Sequence, residues 1–217
     1  MEPIRTASMR TRIKICGLTR EADVEAAVAA GADAVGFVCY PKSSRHVAPV
    51  RLRALVRRLP PFATPVLLFV NAAADLVEDA LAAVPDAMLQ FHGDEHEPAC
   101  SRYGRPYMRA IRMDAGVDLL DCEREFHSAA ALMADAPSDA FGGSGATFDW
   151  GRVPLRRSKP LVLAGGLRSE NVGDAIRRLR PYAVDVSSGV EDSPGSKSAI
   201  RINQFIAAVR AADEALA

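Results

Sequence analysis

Residues 12–38 read "RIKICGLTREADVEAAVAAGADAVGFV" and contain one complete strand–helix–strand repeat. The aliphatic run "RIKIC" predicts a β-strand, and "READVEAAVAAG" has helical periodicity and ends at Gly31. The run "DAVGFV" then predicts a second strand. Two strands joined by a helix in this way are typical of a parallel βαβ unit. The fold class therefore depends on how often the unit recurs.

The same unit recurs along the whole chain. The eight predicted strands are "RIKIC", "DAVGFV", "PVLLFV", "DAMLQF", "PYMRAI", "AALMAD", "PLVLAG" and "AVDVSS". The helices predicted after the first unit are "VRLRALVRRLP", "ADLVEDALAAV", "SENVGDAIRRLR" and "SAIRINQFIAAVRAADEAL", the third of them with Ser169 as its N-cap. The stretch "AGVDLLDCEREFHSAA" has a less regular pattern.

Eight βα units can form a closed parallel barrel or an open doubly wound sheet. No GxGxxG follows the first strand, and glycine-bearing polar segments follow nearly every strand, which favours the barrel. We predict an α/β fold in which residues 1–217 form a single (β/α)8 TIM-barrel domain, with residues 1–11 as a flexible N-terminal extension.

The charge and composition of the chain exclude several classes of partner. Lys and Arg number 27, as do Asp and Glu, so the overall charge does not favour nucleic acid. The N-terminal segment lacks the apolar core of a signal peptide, and no apolar run has the length of a membrane span. We expect no nucleic-acid or membrane partner and a cytoplasmic location.

The four cysteines do not form a recognisable metal or disulfide pattern. They contain no CxxC pair and have no histidines at zinc-ligand spacing. We therefore predict no metal site. In a reducing compartment each thiol is by default a small buried apolar group or an inert surface group.

Two loops near the C-terminus predict a phosphate site. "VLAGGLRSENV" places two glycines between the seventh strand and a helix, and "VDVSSGVED" ends the eighth strand on two serines and a glycine. Backbone N–H groups at such turns bind anions, and barrels often bind phosphate at this position. We predict that Gly165, Gly166, Ser188 and Gly189 bind a phosphate, although each turn alone could be an ordinary one.

Strand alternation places Lys14 and Cys16 on the same face of the first strand. If Ile13 and Ile15 face the helices, Lys14 and Cys16 face the barrel interior, with the cysteine at the rim. A buried lysine requires a partner, and the eighth strand, which closes against the first, offers Asp185 one layer beneath Ser187. We predict a Lys14–Asp185 ion pair that lowers the pKa of Cys16.

Seven ordered motifs closely resemble those of the phosphoribosylanthranilate isomerase family of tryptophan biosynthesis. The motifs, which extend from about Ile13 to Lys197, are "KICG", "GFVCYPKSSRHV", "LLFVN", "LQFHGDE", "GGSGATFDW", "LAGGLRSENV" and "DVSSGVEDSPGSK". The resemblance implies an aldose–ketose isomerase, formally an intramolecular oxidoreductase, that needs no cofactor. Its substrate would be a small phosphorylated molecule, N-(5-phosphoribosyl)anthranilate, and its product 1-(2-carboxyphenylamino)-1-deoxyribulose 5-phosphate. The oligomeric state is left as monomer or homodimer.

The resemblance also implies roles for individual residues. The family's general base corresponds to Cys16, its general acid to Asp149 and its anthranilate-carboxylate ligand to Arg45. An Amadori rearrangement needs such an acid to open the ribose ring and such a base to remove the C2′ proton. We expect Phe148 and Trp150 to desolvate Asp149 and keep it protonated. Alternatively, Asp149 is simply the N-cap of a helix that begins at "WGRV".

Two other functions fit parts of this pattern. A Schiff-base aldolase would need a lysine at a strand rim, whereas Lys14 lies one layer deeper and Lys159 precedes its strand. A catalytically inactive barrel could bind a phosphoribosyl ligand as a sensor. Such a protein would need the phosphate loops but neither Cys16 nor Asp149.

Overall fold

The computed structural model describes residues 10–137 and 147–217. Eight parallel strands form a closed barrel in sequence order, so that the first strand pairs with both the second and the eighth. The predicted TIM barrel is confirmed. The strands are β1 (Arg12–Cys16), β2 (Ala34–Val38), β3 (Thr64–Phe69), β4 (Met88–Phe91), β5 (Tyr107–Arg112), β6 (Ala131–Asp135), β7 (Leu161–Leu163) and β8 (Ala183–Val186).

Helices follow the strands on the outside of the barrel. They are α1 (Glu21–Ala30), α2 (Pro49–Val56), α3 (Ala74–Ala83), α4 (Glu97–Ser101), α5 (Leu119–Glu125), α6 (Ser169–Leu179) and α7 (Ala199–Glu214). Short 3-10 helices cover Trp150–Arg152 and Ser188–Val190, and the strands β9 (Glu191–Ser193) and β10 (Ser196–Lys197) form an antiparallel hairpin. Within the two described ranges, no helix combines the length and apolar character needed to cross a bilayer.

The core has two parts because alternate residues of each strand face opposite ways. Ile13 and Ile15 are buried in the large cluster between strands and helices, as predicted. The barrel interior holds a second, smaller cluster of apolar side chains. Its buried members are Val66, Met108, Ala110, Ala131, Met133, Val162, Ala164 and Ala183. The barrel is therefore filled, and a ligand can enter only at its ends.

The end of the predicted N-terminal extension contacts the C-terminal helix. Thr11 donates hydrogen bonds from its backbone N and its Oγ1 to the carboxylate of Asp213 on α7, both at 2.7 Å. Arg10 forms an ion pair with Asp33. Residues 1–9 of the extension, and residues 142–146 of the "GGSGATFDW" motif, lie outside the described residues.

The predicted N-cap of α6 is wrong by one residue. Ser169 is the first helical residue, and Arg168 is the N-cap. The stabilising contacts at this end come from Asn171, whose Oδ1 accepts from the backbone N of Arg168 at 2.9 Å. The Nδ2 of Asn171 donates to the carbonyl of Gly166 at 2.9 Å. Asn171 therefore joins the helix start to the loop that precedes it.

We expect Asn171→Ala to lower the free energy of unfolding by about 1–2 kcal/mol, because it removes two local hydrogen bonds at a helix start. Ser169→Ala is the control, since among the described residues the hydroxyl of Ser169 donates only to the exposed neighbouring carboxylate of Glu170, and its loss should change the free energy of unfolding by about 0.5 kcal/mol or less. Urea unfolding of both variants measures the difference. A larger loss for Ser169→Ala would contradict this description of the cap.

Candidate active site

A buried ion pair lies directly below Cys16, which is the last residue of β1. Lys14 is paired in register with Asp185 of β8, and its Nζ donates to Oδ1 of Asp185 at 2.6 Å. The side chains of Lys14 and Asp185 are only 3% and 9% exposed. The predicted ion pair is confirmed, and Cys16 sits above it at the mouth of the barrel, itself 4% exposed.

Gly36 on β2 makes room for both functional groups of β1. A Cβ at this position would lie 2.7 Å from Sγ of Cys16 and 3.1 Å from Nζ of Lys14. Real Cβ atoms do not come within 2.7 Å of another atom, and 3.1 Å is already a tight contact, so a larger residue would displace the thiol and crowd the ammonium. Glycine at position 36 therefore leaves space for the side chains of Cys16 and Lys14, and the strand conformation itself does not require it.

The predicted lowering of the Cys16 pKa is wrong in direction. Burial raises the pKa of the thiol, and the nearby charge of Asp185 adds to this effect. The ammonium groups of Lys14 and Lys197 lower the pKa of Cys16 but do not compensate fully. The prediction counted the lysine charge and omitted desolvation, which disfavours any buried anion.

Lys14 itself keeps its charge. Burial lowers the pKa of Lys14, but attraction to Asp185 and Cys16 outweighs burial, so the pKa lies above its ordinary value. The base of the barrel mouth therefore carries a permanent positive charge next to the thiol. This charge stabilises the thiolate form of Cys16 and partly offsets the effect of burial, which favours the neutral thiol.

A second buried lysine near Cys16 was not predicted from the sequence. Lys197, the last residue of β10, has a side chain with 0% exposure. Its Nζ donates to Oε1 of Glu191 at 2.8 Å, to the carbonyl of Ser187 at 3.0 Å and to Oγ of Ser187 at 3.3 Å. Burial lowers the pKa of Lys197 in spite of the Glu191 carboxylate. The only available signal was the motif "DVSSGVEDSPGSK", of which only the serine–glycine part was interpreted.

Arg45 lies at the same mouth and already has a carboxylate partner. Its Nε donates to Oε1 of Glu191 at 2.8 Å, and its Nη2 donates to Oε2 at 2.7 Å. The aliphatic part of Arg45 lies over Gly17, where a Cβ would come within 2.5 Å of the arginine Cδ. The structure thus brings Arg45 close to Cys16. Glu191, its partner, was not predicted.

The two predicted phosphate loops touch each other. A Cβ on Gly189 would lie 2.0 Å from the carbonyl oxygen of Leu167, and a Cβ on Gly165 would lie 2.4 Å from the backbone N of Ala136. Gly165 and Gly166 both have positive φ angles, +82° and +60°. Glycine is thus required here for close approach and for backbone conformation.

These loops also have unused hydrogen-bond donors. The backbone N–H groups of Gly165, Gly166, Ser188 and Gly189 donate to no other residue within the described ranges. Four half-buried N–H groups at adjoining turns can bind the oxygens of a phosphate. The structure therefore brings the four predicted residues together in a suitable arrangement.

Asp149 is exposed and lies at the start of the 3-10 helix. Its Oδ1 accepts from the backbone N of Gly151 at 2.9 Å, so the predicted N-cap role is confirmed. The predicted desolvation by Phe148 and Trp150 is wrong for this structure, because Asp149 is exposed while those two side chains are only half-buried. Its neighbours pack against the outer core instead.

A polar triad that sequence reasoning missed occupies the opposite side of the mouth. Nε2 of His92 contacts Oδ2 of Asp135 at 2.9 Å, and Nδ1 of His92 contacts Nε2 of Gln90 at 3.1 Å. All three side chains are buried. Each follows the inward parity of its strand, which the motif "LQFHGDE" could have indicated for Gln90 and His92.

No group of three or more His, Cys, Asp or Glu side chains in residues 10–137 and 147–217 is arranged to hold a metal ion. The mouth formed by the described residues instead contains the thiol of Cys16 and three cations, Lys14, Lys197 and Arg45, which are paired with the carboxylates of Asp185 and Glu191. It also contains the free N–H groups of the two glycine loops and the exposed carboxyl of Asp149. This arrangement suits acid–base chemistry on an anionic substrate.

Comparison with known proteins identifies relatives over nearly the whole chain. The family model for N-(5'phosphoribosyl)anthranilate (PRA) isomerase matches residues 13–208. The N-(5'-phosphoribosyl)anthranilate isomerase of Methylibium petroleiphilum is 57% identical over 209 residues, which cover 96% of this chain and 98% of that relative.

Solved structures agree with the sequence relatives. The phosphoribosyl anthranilate isomerase of Thermotoga maritima superposes with a TM-score of 0.84 at 39% identity, covering 93% of this chain and 99% of that one. The enzyme of that organism is described as dimeric. A phosphoribosyl anthranilate isomerase in complex with reduced 1-(o-carboxyphenylamino)-1-deoxyribulose 5-phosphate has a TM-score of 0.77 at 35% identity, with 93% and 99% coverage.

We expect Lys14→Met to destabilise the barrel by about 3–5 kcal/mol, because Asp185 would remain buried without its partner. The same change should raise the pKa of Cys16 further, since it removes a nearby positive charge. Thermal unfolding measures the first effect. The pH dependence of alkylation of Cys16, in a background without the other three cysteines, measures the second as a midpoint moved to higher pH.

Replacing both partners, as in Lys14→Met with Asp185→Leu, is the matched control. It should recover much of the stability, because neither residue of the new pair carries a charge. Recovery of the original alkylation midpoint is not expected. If the double variant proves no more stable than Lys14→Met alone, the ion pair does not determine stability here.

Proposed function

The chain belongs to the N-(5'-phosphoribosyl)anthranilate isomerase family, and from this premise we propose that Cys16 and Asp149 are the base and acid of its reaction. As a member of this family it is an enzyme of tryptophan biosynthesis. It converts N-(5-phosphoribosyl)anthranilate to 1-(2-carboxyphenylamino)-1-deoxyribulose 5-phosphate by an Amadori rearrangement. The roles of individual residues in this reaction are proposed below.

Asp149 opens the ribose ring. Its carboxyl donates a proton to the ring oxygen, the bond from that oxygen to C1′ breaks, and the anthranilate nitrogen stabilises the cation as a Schiff base. The carboxyl is exposed without substrate. A bound substrate shields the carboxyl from water, so that its proton passes to the ring oxygen and not to solvent.

Cys16 then acts as the base. The thiolate removes the proton from C2′, and the resulting enolamine tautomerises to the ketone. Burial raises the pKa of Cys16, which reduces the thiolate fraction but makes each thiolate a stronger base. The buried ammonium groups of Lys14 and Lys197 limit that rise and stabilise the anion.

Substrate binding uses both ends of the mouth. The four free N–H groups of Gly165, Gly166, Ser188 and Gly189 hold the phosphate. Arg45 meets the anthranilate carboxylate, to which a planar guanidinium can donate two parallel hydrogen bonds. Holding the substrate by both anionic ends fixes C1′ and C2′ between acid and base.

One observation supports these roles most strongly, namely the inward-facing Cys16 at the rim with the 2.6 Å Lys14–Asp185 pair beneath it. The same observation argues against Schiff-base aldol chemistry at Lys14, because this lysine is buried in an ion pair that holds its pKa above the ordinary value. A purely ligand-binding barrel would need no thiol above a buried cation.

We further propose that the enzyme works in the cytoplasm as a monomer or a homodimer. Its four cysteines are free thiols, which suits a reducing compartment. The dimeric relative from Thermotoga maritima supports a homodimer. Sedimentation velocity at several protein concentrations separates the two states.

Steady-state turnover of N-(5-phosphoribosyl)anthranilate, followed by its fluorescence, tests the catalytic roles. We expect Cys16→Ala to lower kcat by about 100-fold or more, since general-base catalysis contributes about that much. Binding of a product analogue should change little, because the base acts in the transition state.

Cys39→Ala is the matched control for that experiment. Cys39 is as buried as Cys16, 1% against 4% exposed, so both replacements leave a similar cavity. An inactive Cys39→Ala together with an active Cys16→Ala would show that the base is assigned wrongly.

We expect Asp149→Asn to lower kcat by a similar factor of about 100 while leaving the melting temperature nearly unchanged. The amide oxygen of asparagine can still accept the hydrogen bond from Gly151, so the cap is retained and only the acid is lost. A variant that keeps full turnover would place the acid elsewhere. Turnover and differential scanning calorimetry on the same sample separate the two roles.

A further inference from the structure

We propose that Glu191 and Lys197 are positioning residues, which hold Arg45 so that one edge of its guanidinium faces the carboxylate of the substrate. The proposal rests on the role assigned to Arg45 above and adds what fixes its orientation. It concerns the part of "DVSSGVEDSPGSK" that follows the phosphate loop. That part forms the β9–β10 hairpin, whose first and last residues are Glu191 and Lys197.

The contact between Arg45 and Glu191 uses one edge of the guanidinium and leaves another free. Nε and Nη2 of Arg45 donate to the two carboxylate oxygens of Glu191. A guanidinium has five N–H groups in one plane. The edge formed by Nη1 and the second N–H of Nη2 remains, and neither of these N–H groups donates to another residue in the described part of the chain. A carboxylate can bind to this edge through two parallel bonds.

Glu191 is itself held from a second side. Lys197 Nζ donates to Oε1 of Glu191 at 2.8 Å, and the backbone N of Gly195 donates to the same oxygen at 3.2 Å. Glu191 and Lys197 are 5% and 0% exposed in their side chains, whereas Arg45 is 14% exposed. Glu191 and Lys197 thus form a buried support, and Arg45 is the most exposed of the three side chains.

The charges at this place also favour an anionic ligand. Arg45, Lys197 and Lys14 supply three positive charges, and Glu191 and Asp185 supply two negative ones. While Cys16 is a neutral thiol the group has one excess positive charge, and this excess is lost when Cys16 becomes the thiolate. A buried excess charge attracts a counter-charge strongly because little water is present to screen it. The carboxylate of the substrate can supply it.

An alternative is that the hairpin pair only stabilises the fold. A buried ion pair often contributes little net stability compared with apolar residues of similar size. Its charges do impose a definite direction on a flexible arginine, which an apolar pair could not do. The two alternatives predict different effects of losing Glu191. If the pair positions Arg45, the loss weakens ligands with a ring carboxylate more than ligands without one; if the pair only stabilises the fold, both kinds of ligand are affected equally.

A double-mutant cycle of Arg45→Ala and Glu191→Gln tests the proposal. The probes are reduced 1-(o-carboxyphenylamino)-1-deoxyribulose 5-phosphate and the same compound without the ring carboxyl, with binding measured by calorimetry. We expect Glu191→Gln to weaken binding of the carboxylated probe by about tenfold or more and of the other by less than about threefold. In the Arg45→Ala background, Glu191→Gln should cause no further selective loss.

Glu123→Gln is the control for loss of a buried carboxylate elsewhere. Glu123 is 8% exposed and accepts hydrogen bonds from Ser158 and Lys159, away from the mouth. The Glu123→Gln variant should change the affinity for the two probes equally. Lys197→Met should resemble Glu191→Gln in its selectivity, with a smaller effect, because Glu191 would keep its bond from Gly195.

The outcomes distinguish the two proposals. If Arg45→Ala weakens both probes equally, Arg45 does not bind the carboxylate and the assignment on which the inference rests is wrong. If Arg45→Ala is selective but Glu191→Gln is not, the inference alone is overturned. Additive selective losses in the double variant would also overturn it, because Glu191 would then act independently of Arg45.

Discussion

The ion pair between Lys14 and Asp185 connects the closure of the barrel with its chemistry. It bridges β1 and β8, the two strands that close the barrel. Burying two charges is costly unless they meet each other in good geometry, so the pair requires this strand register. The register in turn places Cys16 at the rim, one inward position above the ammonium. Gly36, which leaves room for both groups, is required for the same reason.

Much of the fold could be predicted from the sequence because it depends on local periodicity. All eight strands were identified, since each is a short aliphatic run followed by a loop and a helix. The inward parity of Lys14 follows from strand alternation alone, and its partner follows from barrel closure. The N-cap of α6 was misplaced by one residue because capping depends on which side chain reaches the backbone, and Asn171 does so from inside the helix.

The site was less predictable where contacts join distant loops. Glu191 and Lys197 belong to a short hairpin that has no periodic sequence pattern. Their role depends on contact with Arg45, which is 146 residues from Glu191 in sequence. The direction of the Cys16 pKa shift depends on how much water reaches the thiol. The burial of Cys16 results from packing of the folded barrel mouth, so it cannot be predicted from the residues adjacent to Cys16 in sequence. The exposure of Asp149 is a similar case.

The pairing of β1 with β8 also has a consequence for the synthesis of the chain. Lys14 and Asp185 are separated by 171 residues, and Thr11 and Asp213 by 202. Lys14 therefore leaves the ribosome long before its partner and stays hydrated while the intervening strands are made. Because such long-range contacts form only after a large loop has closed, the charged surroundings of Cys16 assemble last. A nascent chain can thus hold most of its strands while its thiol still behaves as an ordinary cysteine in water.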